Sequence, residues 1–178
     1  TTNPQEIDGV ITRAWQRIYN GNAVNAAKTV AMFCANYATH MARSEEKPIE
    51  EMSAQIVWEN FQATEQSAGG MDGWDPLDFK LMPSSTGKEV ADLLELIEGG
   101  APWPTSTKHA KIAYLEKDGS IPGEAMSYRP LTIMAPLYRR WASMRLGSMG
   151  SWIAGWALPE MHAGVPQQGA ADAAYHVL

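Results

Sequence analysis

The chain has little of what most enzyme chemistries need. One cysteine, Cys34, among 178 residues excludes an internal disulfide and any cysteine metal cluster, and it is compatible with a reducing compartment. The four histidines, His40, His109, His162 and His176, lie far apart and form no His-x-x-His or Cys-His pattern, so each reads as a structural or surface residue rather than a zinc ligand. No serine-nucleophile motif occurs, nor a Gly-x-x-x-x-Gly-Lys phosphate loop. No apolar run reaches the length of a membrane span, and no cleavable leader is visible in a chain that opens at Thr1. Positive charge is also scarce. The net charge of −6 argues against a strong free nucleic-acid binder, whose affinity comes largely from Lys and Arg displacing phosphate counterions.

Apolar and aromatic material is plentiful. The apolar share is 45% and the charged share 19%, enough for one domain with a real core. Seven tryptophans and ten methionines supply either that core or a broad partner surface. Charge is uneven: residues 71–127 carry ten acids against five bases. From Tyr128 onward Arg129, Arg139, Arg140 and Arg145 face only Glu160 and Asp172.

Periodicity predicts a helical first part. Asn3-Pro4-Gln5-Glu6 is a start signal, Ile7 to Tyr19 recur at helical spacing, and Asn20-Gly21 stops the run. A second helix is expected over about 23–42, with Cys34 as a small buried hydrophobe on its stripe. A third is expected from Pro48, burying Ile49, Met52, Ile56 and Phe61; Glu45, Glu46, Glu50 and Glu51 read as its solvated start. After the Gly69-Gly70 break, Gly87–Gly99 is amphipathic through Val90, Leu93, Leu94 and Ile97. Residues 111–116 alternate as a strand, Lys117-Asp118-Gly119-Ser120 turns, and 128–134 forms the second strand of an antiparallel hairpin with a long tip. Pro136 opens a helix through Trp141 and Met144 that Gly147 and Gly150 weaken. Residues 160–169 read as a loop, and 170–178 as the start of another helix. Asp72-Gly73 and Asp75-Pro76 have the chemistry of turns and helix caps, not of metal ligands.

Four segments stand in a telling order. They are Ala68-Gly69-Gly70-Met71-Asp72-Gly73-Trp74; Trp103-Pro104 with Lys108 to Leu115; Lys117-Asp118-Gly119-Ser120 with Tyr128-Arg129-Pro130 and the Leu137-Tyr138-Arg139-Arg140-Trp141 helix start; and Pro159 to Val165 running on to Asp172-Ala173. Over about 66–178 this order resembles the N-terminal and fingers region of reverse transcriptases of the non-long-terminal-repeat retroelement type and, more distantly, those of group II introns. Residues 1–65 match only as generic helices. Three positions depart from the pattern: Met71 stands where Pro is usual, Glu116 precedes Lys117, and Val165 to Gly169 contains no arginine.

The resemblance implies an α+β fold, mainly α-helical with one antiparallel hairpin, divided into a helical segment 1–65 and a fingers-like region 66–178. It implies nucleotide-phosphate contacts at Lys117 and Arg129, and weaker template contacts at Arg139, Arg140 and Arg145. Catalytic and metal residues are expected to be absent: Leu178 falls before the segment that would carry the first catalytic aspartate. Mg²⁺ would enter only with a palm supplied elsewhere, and the chain alone is expected to be inactive as an RNA-directed DNA polymerase. The other reading is a retroelement-derived, non-catalytic subunit in a larger protein assembly. Trp141, Trp152 and Trp156, with Met144, Met149 and Leu158, would then form the partner surface.

Overall fold

The Asn3 side chain accepts a hydrogen bond from the Gln5 amide, and Pro4 needs no donor at the first helical position, so α1 (Pro4–Tyr19) begins where its start signal lies. It ends at Asn20, with Gly21 at φ 66°, a left-handed conformation that glycine adopts without a Cβ clash. The computed structural model describes residues 3–21, 25–41, 44–119, 121, 123–158, 161, 165 and 169, apart from the Arg17 side chain. The expected loop at 160–169 and helix at 170–178 therefore fall largely or wholly outside the described residues.

The remaining helices are α2 (Ala26–Tyr37), α3 (Ala54–Gln62), α4 (Thr86–Glu98) and α5 (Pro136–Trp156), with strands β1 (Lys111–Glu116) and β2 (Tyr128–Ile133). The fold is α+β, mainly helical with one two-stranded antiparallel sheet among the described residues. The Lys117 amide donates to the Ser127 carbonyl, which fixes the register. Glu116 then stands opposite Tyr128, and Leu115 opposite Arg129.

Contacts divide the chain into two compact units. One comprises residues 1–41 and 112–132, the other residues 42–111 and 133–178. In the first, α1 packs on the short 3₁₀ turn Ala125–Ser127 and buries Ile11. The α2 helix, capped by the Asn25 side chain, buries none of its residues, and Cys34 is exposed. The expected buried cysteine is thus corrected: α2 has helical residues but no packed neighbour among the described elements to cover its stripe.

The second unit holds the larger core. Val57 and Phe61 of α3 meet Ala91, Leu94 and Ile97 of α4, joined by Met52, Phe79 and Met144. Phe61 and Phe79 stack edge to face at 4.7 Å. Burying side chains of this size contributes about 1.5–3 kcal/mol each. Gly87 sets the α3–α4 approach, because a Cβ there would lie 2.5 Å from the Ala54 carbonyl oxygen.

Two helix boundaries differ from expectation. The third helix begins at Ala54, capped by Ser53, not at Pro48; Ile49 and Ile56 are exposed. Residues 44–53 instead run as a non-helical strap over α5, with Glu45, Glu46, Glu50 and Glu51 exposed. Lys47 Nζ donates to the Ser148 carbonyl (2.5 Å), Arg145 Nη1 to the Glu50 carbonyl (2.7 Å), and Trp152 Nε1 to the Glu45 carbonyl (2.9 Å). Of these, the Glu50 carbonyl is one that a helix starting at Pro48 would have used within itself. The α5 helix also runs on through Gly147 and Gly150 for 21 residues, because Met144 and Ile153 are buried on either side of them. Among the described residues no helix is long and apolar enough to cross a membrane; α5 itself carries three arginines.

Candidate functional site

Two of the motif segments converge on the first half of α5, where the Leu137–Trp141 helix start lies. A Cβ on Gly70 would lie 2.6 Å from Asp72 Oδ1, 2.8 Å from the Ala135 Cα and 2.9 Å from the Pro136 Cδ, so only glycine fits under the start of this helix. Arg139, one turn further, donates to Ser67 Oγ (3.1 Å) and the Ala68 carbonyl (2.6 Å). Trp103 packs against Tyr138 and Trp141 at centroid distances of 5.3 and 5.4 Å.

Both Asp72 carboxylate oxygens are buried there without a hydrogen-bond partner among the described residues. Ala135 gives α5 no side-chain cap. Asp75 works differently. Its side chain accepts from the Leu77 amide while Asp78 accepts from the Asp75 amide, a reciprocal cap on the 3₁₀ helix Pro76–Leu81. Among the described residues no three His, Cys, Asp or Glu side chains are grouped to hold a metal.

Further along α5, Glu98 collects three donors. Trp141 Nε1 reaches Oε1 at 2.7 Å, Arg145 Nε reaches Oε1 at 2.6 Å, and Arg145 Nη2 bonds Oε2. The Arg145 bonds hold the Glu98 carboxyl below its usual range; burial opposes them, and the Trp141 bond adds to them. With Nη1 on the Glu50 carbonyl, each of the three Arg145 guanidinium nitrogens has an internal partner.

The expected template arginines therefore have different fates. Arg139 and Arg145 are committed to internal partners, and Arg140 is half-buried with no hydrogen bond or ion pair among the described residues. The expected partner surface divides as well. Trp141, Trp152 and Trp156 are half-buried, and Trp152 stacks on Trp156 at 5.5 Å. Met149 and Leu158 are exposed, whereas Met144 is buried in the core, which corrects its place on that surface. The signal missed was Glu98, four turns into an amphipathic helix and indistinguishable in sequence from its solvated neighbour Glu95.

In the other unit, the hairpin carries the two expected phosphate contacts. Arg129 on β2 is exposed and makes no hydrogen bond or ion pair with the described residues. Lys117 follows β1, its Nζ 2.6 Å from the Met126 carbonyl and 5.6 Å from the centroid of the Trp15 ring. In register Lys117 stands diagonal to Arg129, with its ammonium turned to the Met126 carbonyl and the Trp15 ring. Gly119, at φ 68°, makes the turn between the strands. Below, Ile7, Val10 and Ile11 of α1 with Tyr114 and Tyr128 enclose a cavity of about 470 Å³.

No protein-family model matches the chain, and no curated protein is similar to it.

Proposed function

We propose that the chain is the fingers part of a retroelement reverse transcriptase, with Arg129 as a nucleotide-phosphate contact and Lys117 as its neighbour. The observation that carries this reading is the exposed guanidinium of Arg129 on the hairpin, without a partner among the described residues, while Arg139 and Arg145 are occupied. A guanidinium without an internal partner keeps its planar fork for a phosphate. The convergence of the Gly70 loop and Trp103 on the start of α5 gives these motif segments a common packing role in the second unit. Phosphoryl transfer would still require metal-holding carboxylates from a palm.

Titration of an RNA–DNA duplex by fluorescence anisotropy tests the reading. Binding should be weak at physiological salt, poorer than the roughly 10⁻⁴–10⁻⁶ M of ordinary non-specific binders, and should strengthen steeply at low salt. Arg129→Ala should lower the low-salt affinity about tenfold, the loss of one charge-assisted bond. Affinity unchanged by that substitution would overturn the reading.

A second reading is a retroelement-derived accessory subunit held by other proteins. It is favoured by Val30, Met32, Phe33 and Tyr37 of α2 and by Leu146, Met149 and Leu158, all large apolar side chains left exposed. Light scattering separates the two: concentration-dependent self-association with no Arg129 effect on duplex binding fits the accessory subunit.

A further inference from the structure

We infer that the cavity beneath the 44–53 strap is a binding site for a small aromatic acid. Its volume, about 510 Å³, is that of a small-molecule site (about 300–1,000 Å³). Ile49, Trp141, Met149 and Trp152 line it as apolar residues, and three polar bonds tie the strap to α5 beside it.

Charge selects the ligand. Glu98 and Arg145, which also line the cavity, neutralise each other. The Glu50 carboxylate belongs to an exposed residue and is solvated. Lys47 differs: its ammonium is half-buried, its hydrogen-bond partner is the neutral Ser148 carbonyl, and no carboxylate among the described residues lies within ion-pair distance. A half-buried cation without a counter-charge favours an incoming anion, and two of its three N–H donors remain available. The walls determine the rest of the molecule. A nucleobase would leave its donors and acceptors unmatched against Ile49, Met149 and the indole faces, whereas a hydrocarbon ring gains stacking and sulfur–aromatic contacts.

The test titrates 2-naphthoate, and 2-naphthamide as its uncharged counterpart, into the full 178-residue chain while following tryptophan fluorescence. Naphthoate should bind saturably at one site, about tenfold more tightly than the amide. Lys47→Met should erase that difference. Met149→Trp fills the cavity without touching the strap's bonds and should abolish binding of both, so it decides the matter even if Lys47→Met loosens the strap. Unsaturable binding, equal affinity of wild type for the acid and the amide, or full binding by Met149→Trp would overturn the inference. Arg129→Ala should leave naphthoate binding unchanged, which separates failure here from failure of the proposed function.

Discussion

Replacing Glu98 by Gln removes one charge and puts an NH₂ group where one of the two carboxylate oxygens accepted from Arg145, leaving one of its two bonds without an acceptor in place. Breaking a buried pair by deleting one partner costs about 3–5 kcal/mol, because the surviving charge is left uncompensated. The Arg145 and Glu98 side chains retain 13% and 22% of their accessibility, so water relieves part of this, and about 2–3 kcal/mol is the expected loss. That is a large share of the about 5–15 kcal/mol by which domains are stable. With a urea slope near 2 kcal/mol per M, the midpoint followed by tryptophan fluorescence should fall by about 1–1.5 M. A double-mutant cycle with Arg145→Met should show that most of the loss is coupling between the two. The pH dependence gives an independent check. Glu98's carboxyl is lowered in the folded state from its usual 4.5, so its contribution is present above that value and is lost as pH falls through the folded value. The gap between wild type and Glu98→Gln should therefore be wide at pH 7 and close in acid. A loss below about 0.5 kcal/mol, as for an exposed surface pair, or a gap as wide at pH 3 as at pH 7 would refute the reasoning.

Two further substitutions probe the same helix. Gly70→Ala should cost about 1–3 kcal/mol in urea denaturation, because the added methyl meets the backbone of Ala135 and cannot be relieved by a side-chain rotation. Gly147→Ala should act in the opposite direction: no atom lies within 4 Å of its Cβ position, and alanine in a helix interior gains about 0.8–1.0 kcal/mol over glycine, read as a rise in the same midpoint.

Local signals fixed most element types before any packing was known. Asn3-Pro4, Asn20-Gly21 and the 3–4 spacing of Val90, Leu93, Leu94 and Ile97 specify α1 and α4 because caps and periodicity act within a few residues. The same holds for β1, the Gly119 turn and β2, and for the Asp75 cap. Packing decided what local signals leave degenerate. Pro48 can open a helix, yet the carbonyls of Glu45 and Glu50 are drawn to Trp152 and Arg145, about a hundred residues away in sequence, and the strap stays non-helical. Gly147 and Gly150 weaken a helix, yet burial of Met144 and Ile153 carries α5 across them. The resemblance set Arg129 apart as a phosphate contact from Arg139, Arg140 and Arg145 as weaker template contacts, but sequence could not say which guanidinium is available, because that depends on what lies beside it in space. Arg139 meets the Ser67 hydroxyl and the Ala68 carbonyl, Arg145 meets Glu98, and Arg129 is exposed with no partner among the described residues.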